Sequence, residues 1–202
     1  MNNNDVLRRI RYIFNFNDKT MIRVFAEAAQ TVTREQISEW LKKEDDPAYQ
    51  ACADVELATF LNGLINLKRG RREGPQPEPE QRLSNNIILM KLKIALNLHA
   101  DDILEILGLA DFTISKHELS AFFRKSTHKH FRKCQDQVLR QFLNGLQATY
   151  RGKADQADSE VEQPTTVKPV IQKPKVVDKR SSALDAHHTE PPVVSVWGRK
   201  KP

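Results

Sequence analysis

The amino-acid sequence predicts an all-α fold: two tandem, pseudo-symmetric four-helix repeats followed by a disordered C-terminal tail. Three observations carry this expectation. Residues 3–70 lie on residues 85–152 at a constant offset of 82 without a gap, and Phe60-Leu-Asn-Gly-Leu64 returns letter for letter as Phe142-Leu-Asn-Gly-Leu146. Within each copy the apolar residues recur at spacings of three, four and seven, the period of a half-buried helix. From Lys153 onward large apolar residues give way to charged residues, Ser, Thr and Pro, a composition that buries too little surface to offset the entropy of ordering. The implied organisation is a first repeat over 1–72, a Pro-rich linker over 73–84, a second repeat over 85–152 and a flexible basic tail over 153–202.

Each copy opens on Asn-Asn, read as a helix cap. Val6, Leu7, Ile10, Ile13 and Phe14 then form one apolar stripe, matched by Ile88, Leu89, Leu92, Ala95 and Leu96. The chain turns after Asn15 and Asn97. A second stripe follows at Met21, Val24, Phe25 and Ala28, answered by Ile103, Ile106, Leu107 and Ala110. The third helix is announced by Thr33-Arg-Glu-Gln36 and Ser115-Lys-His-Glu118, where a hydroxyl and a Gln or Glu three residues on satisfy each other's free backbone amides. Ile37, Trp40 and Leu41, with Leu119, Phe122 and Phe123, supply its buried face.

The fourth helix is expected to start at caps Asp54 and Asp136 and to stop at Gly70 and Gly152, glycine past a helix end being a common stop. Gly63 and Gly145 sit inside these helices, where glycine costs roughly 1 kcal/mol relative to alanine. Their recurrence suggests that the two fourth helices cross near these glycines about a pseudo-twofold axis, and Asn62, Gly63, Asn144 and Gly145 are the candidate inter-lobe packing residues. Packing within each repeat is the competing reading. Glu73-Gly-Pro-Gln-Pro-Glu-Pro-Glu80 between the copies cannot continue a helix and reads as an extended connector.

The motifs Trp40-Leu-Lys-Lys-Glu-Asp-Asp46, Tyr49-Gln-Ala-Cys52, Phe60-Leu-Asn-Gly-Leu-Ile65 with Arg69-Gly70, Asp101-Asp-Ile-Leu104 and Phe142-Leu-Asn-Gly-Leu146 resemble the bacterial YehS-like family, which carries a domain of unknown function in two copies. The resemblance covers about the first 152 residues and implies no activity, cofactor or site to carry over. The tail lies outside it.

No catalytic constellation is legible: there is no glycine-rich phosphate loop, nucleophile elbow or Cys-x-x-Cys. An enzyme is therefore not expected, nor a cofactor or metal. His128-Lys-His130 with Cys134 is the nearest approach to a zinc set, but its neighbours are cationic and the first copy has Asp46, Ala48 and Cys52 there. Glu44-Asp45-Asp46 lacks the alternating ligands of a calcium loop. Cys52 and Cys134 occupy equivalent positions, as two structural thiols would. The absence of a long apolar run or a leader-like pattern points to a cytoplasmic protein with no membrane partner.

Charge is more informative. The net charge of +6 is concentrated in the second repeat, where Lys116, Arg124, Lys125, Lys129, Arg132 and Lys133 are joined by His117, His128 and His130. These six cations are the candidate partner or phosphate contacts. The corresponding stretch of the first repeat, Lys42-Lys43-Glu44-Asp45-Asp46, is half acidic. The sequence thus favours a non-enzymatic binding or adaptor protein that engages a protein partner or a second copy of itself. The alternative is an RNA- or DNA-binding protein that uses the basic second repeat and tail. Phe122, Phe123 and Phe131 align with core positions, which argues against a stacking platform within that stretch. In the tail, Trp197 of Val193-Val-Ser-Val-Trp197 is a candidate anchor.

Overall fold

A computed structural model describes residues 1–159, with side chains through Gly152. Among the described residues there are eight helices and no strand: α1 (Asn3–Ile13), α2 (Asp18–Glu27), α3 (Arg34–Leu41) and α4 (Asp54–Arg69) in the first repeat, then α5 (Asn85–Ala95), α6 (Ala100–Gly108), α7 (Lys116–Phe122) and α8 (Asp136–Ser159) in the second. The expectations for the tail beyond Ser159, including Trp197, lie outside the described residues.

The two repeats form one compact unit with a continuous core. Phe25, Phe60, Leu57, Leu61 and Leu64 fill its first half, and Phe142, Leu89, Leu92, Leu139 and Leu143 its second. Packing crosses between the repeats, because α4 lies along α5 and α1 along α8. Two equivalent polar contacts seal these seams. Arg9 donates to Asn144 Oδ1 at 2.6 Å, and Lys91, its counterpart 82 positions on, donates to Asn62 Oδ1. The asparagines of the repeated motif therefore hold the opposite repeat's first helix.

The glycines beside them do something else. The expected crossing of the two fourth helices at Gly63 and Gly145 is not what the structure contains. A Cβ on Gly63 would stand 1.8 Å from the carbonyl oxygen of Val24 in α2, and one on Gly145 would stand 1.8 Å from that of Ile106 in α6. Each glycine lets a helix of its own repeat approach. Such contact leaves no room for even a methyl group.

The asparagine pair also departs from the capping reading. Asn2 and Ser84 are the caps, their side chains accepting from Asp5 N and Ile87 N. Asn3 and Asn4, like Asn85 and Asn86, sit in the first turn and reach across to the loop between the third and fourth helices. Buried Asn4 donates to Trp40 O (2.8 Å) and Gln50 O (2.7 Å) and accepts from Cys52 N (3.0 Å) and the Tyr49 hydroxyl (3.1 Å). Every hydrogen-bonding position of its amide is used. Asn86 repeats three of the four with Phe122 O, Arg132 O and Cys134 N. The fourth is missing because Tyr49 is replaced by Phe131.

Asp54 likewise does not cap α4, whose cap residue is Ala53. Its carboxylate accepts from Asn3 Nδ2 (2.8 Å) and Leu83 N (2.9 Å), as that of Asp136 accepts from Asn85 Nδ2 (2.7 Å) and the Met1 nitrogen. Thr33 and Ser115 do cap α3 and α7 with complete capping boxes. Gly70 ends α4 with φ +83°, which an L side chain would resist, whereas α8 runs on through Gly152 to Ser159. The difference follows from what comes next: Arg-Arg-Glu-Gly-Pro after Gly70, but Lys-Ala-Asp-Gln-Ala after Gly152, a run of tolerable helix formers.

The linker is pinned to both repeats. Asn62 Nδ2 donates to Pro77 O (3.3 Å), Asn66 to Gln76 Oε1 (3.2 Å), and Glu80 pairs at 2.9 Å with the buried Lys91. Between linker, α2 and α4 lies a polar cleft of about 310 Å³ bordered by Gln30, Thr59 and Asn66.

Candidate functional site

The basic loop follows from short elements. Helix α7 ends at Phe122, and the chain then makes two turns, closed by His128 N to Lys125 O and Phe131 N to His128 O, before Asn86 fixes its return at Arg132. Arg132 N also donates to Ala121 O at 3.2 Å, which ties the returning strand of chain to α7. The loop is exposed but anchored at both ends.

Its side chains border an open groove of about 390 Å³ lined by His117, Glu118, Ala121, Arg124, Lys129, His130, Phe131 and Arg132. Three of the six candidate cations, Arg124, Lys129 and Arg132, therefore converge. Lys133 opens with Arg132 onto a neighbouring depression of about 400 Å³ over Phe112, Ile114 and Val138. Lys116 is drawn aside by Asp101 at 2.5 Å, and Lys125 borders neither space.

The acid of the groove is already engaged. Glu118 accepts from both the backbone and the hydroxyl of Ser115, and these bonds hold its carboxyl below the usual range. It remains ionised at neutral pH and offsets one of the cations. In the first repeat the groove positions carry Glu35, Glu39, Lys42, Pro47, Ala48 and Gln50, so the same backbone presents a surface of opposite character. There Asp46 is held below the usual carboxylate range by Ala48 N and Lys42, and Glu44 accepts from Asn2.

The histidines do not converge with the thiol. The rings of His128 and His130 lie tilted by 45° with centroids 5.6 Å apart, and His128 Nδ1 accepts from His130 N. Cys134 is buried, and desolvation pushes its pKa up to about 12, as it does for Cys52, helped by the nearby acids. Both thiols are free and stay protonated at neutral pH. Among the described residues no three His, Cys, Asp or Glu side chains gather as a metal site would require. No helix among them is long and apolar enough to cross a membrane.

The residues that sequence reasoning did not single out are the exposed aromatics Tyr12 and Tyr150. Tyr12 falls off the apolar stripe of α1, which was the available signal.

The internal duplication is matched by known proteins. A family model described as "Protein of unknown function (DUF1456)" matches residues 3–70 and again 85–152. The chain is 49% identical over 149 residues to the "Uncharacterized protein YehS" of Escherichia coli (strain K12), an alignment covering 73% of this chain and 96% of that relative. No solved structure matches. With both repeats matched in register, the chain belongs to the DUF1456 family.

Proposed function

We propose that this protein is a non-enzymatic binding module, an adaptor that holds an acidic protein partner in the groove between α7 and the loop leading to α8. One observation carries the reading: Arg124, Lys129 and Arg132 line an open groove together with His117 and His130, while the duplicated positions of the first repeat keep a single cation, Lys42, beside Glu35, Glu39, Pro47, Ala48 and Gln50. A fold-required surface would not need opposite charge in the two copies. Cations around an open depression favour association by charge complementarity, with a rate that falls as salt is raised.

The alternative partner is the backbone of RNA or DNA. The same cations support it, though the half-buried Phe131 gives little to stack upon. Titration of the full chain against labelled polyglutamate, generic RNA and generic DNA, at low and near-physiological salt, separates the two. The Lys129→Glu, Arg132→Glu, Lys133→Glu variant is expected to lose the interaction. Failure of all three polyanions to bind, or polyglutamate binding unaltered in the variant, would overturn the assignment of this groove.

A further inference from the structure

A second surface, away from the basic loop, joins features that neither repeat carries alone. The C-terminal ends of α1 and α4 meet the middle of α8 there. The Phe14 ring lies 5.0 Å from that of Tyr150, edge to face, and 5.5 Å from Phe16. Above these rings stand two cations: the Arg151 guanidinium 4.2 Å over Tyr12, and the Lys68 ammonium 5.0 Å over Phe14. Tyr12 is 52% exposed and Tyr150 39%, large values for aromatic side chains. Beside them a groove of about 380 Å³ runs past Arg8, Tyr12, Asn15 and Phe16.

The charge here is unbalanced. Arg8 and Arg11 are paired with Asp5 and Asp18, but Lys68, its neighbour Arg69 and Arg151 have no carboxylate partner among the described residues. Arg69 donates instead to Asn97 Oδ1, at the turn after α5. Cations in the last turn complement a helix's C-terminal partial charge, which accounts for Lys68 and Arg69. It does not account for Arg151 inside α8, nor for tyrosines left in water. The core does not demand aromatics either, since Ile94, Leu96 and Leu98 stand at the positions equivalent to Tyr12, Phe14 and Phe16.

Exposed rings interleaved with uncompensated cations are what an unpaired nucleic-acid strand recognises: its bases offer π-faces and its backbone offers charge. A duplex conceals those faces, and an apolar helix would leave the cations desolvated and unpaired. We propose that this face docks single-stranded nucleic acid, with bases stacking on Tyr12 and Tyr150 and phosphates held by Lys68, Arg69 and Arg151. The surface and the argument are independent of the groove assigned above.

The test is fluorescence anisotropy of the full chain with labelled oligouridylate and oligothymidylate, beside a duplex of equal length, at low salt. Single strands bind more tightly than the duplex, and Tyr12→Ala with Tyr150→Ala weakens them by about thirtyfold or more, the scale of two lost base–aromatic stacks. Tyr12→Phe keeps the affinity, because the ring face is retained. Should the double alanine variant melt early, Arg151→Gln and Lys68→Gln serve instead, each lowering the salt dependence of binding by about one phosphate contact. The Lys129→Glu, Arg132→Glu, Lys133→Glu variant retains the preference for single strands. No binding, equal affinity for the duplex, or affinity unchanged in the tyrosine and cation variants would each overturn the proposal.

Discussion

Gly63→Ala tests how closely α2 and α4 are packed. The added methyl carbon would sit 1.8 Å from the Val24 carbonyl oxygen and 2.8 Å from its carbon. Ordinary contact begins near 3.4 Å, so α2 would have to retreat by roughly 1.6 Å or α4 rotate by as much. The obstacle is backbone and has no rotamer by which to escape. Overpacking of this kind costs about 3 kcal/mol or more, against a helix-propensity gain of roughly 1 kcal/mol for replacing glycine by alanine. The expected net loss is about 2 kcal/mol or more, a fall in Tm of roughly 4–8 °C for a unit of this size. Urea unfolding followed by circular dichroism, with thermal melts alongside, reads both values. Gly145→Ala should behave alike, since the Ile106 oxygen stands at the same 1.8 Å. Gly152→Ala is the control: with nothing within 4 Å and no positive φ, it should stabilise slightly. A Gly63→Ala protein as stable as the parent would refute the packing argument.

The buried asparagine clamp makes a second prediction: Asn4→Ala strands the Trp40 and Gln50 carbonyls and the Cys52 amide, a loss of about 2–4 kcal/mol when buried groups go unpaired, read by urea unfolding. Asn4→Asp, which turns an oxygen toward both carbonyls, should be no milder. Lys91→Met removes the partner of Glu80 and Asn62 and should release the linker, seen as new proteolytic cleavage within residues 73–82; Glu80→Gln added to it should recover part of the stability, because less charge is left unpaired. The two thiols set an alkaline limit. Their folded pKa of about 12 lies above the ordinary 9.0, so their contribution is intact below pH 9 and is lost as pH rises toward 12, the unfolded chain releasing protons first. A Cys52→Ala, Cys134→Ala variant should lose stability less steeply over that window in pH-dependent melts.

The helices and the duplication were legible residue by residue, because an amphipathic period and a capping box are local facts. Leu7, Ile10, Phe25, Leu89 and Leu92 all lie where the stripes put them. Local reading failed where a side chain's partner is distant in the chain. Asn4 has the chemistry of a cap, and only the approach of the α3–α4 loop turns it into a clamp. Gly63 announces close packing, but a one-dimensional pattern does not say against which helix. Of the six candidate cations, geometry gathered Arg124, Lys129 and Arg132 and drew Lys116 toward Asp101.

The sequence by itself determined that two copies of one helical unit would form, with equivalent cores and unequal surface charge. Tertiary structure decided how they join: α1 on α8 and α5 on α4, each seam sealed by a cation on the other repeat's asparagine. It also decided that Tyr12, Lys68 and Arg151, scattered through three helices, share one face. Periodicity fixes which side of a helix is buried, a property of neighbours along the chain. Which buried sides meet depends on the best mutual packing of whole helices, a property that no single segment carries.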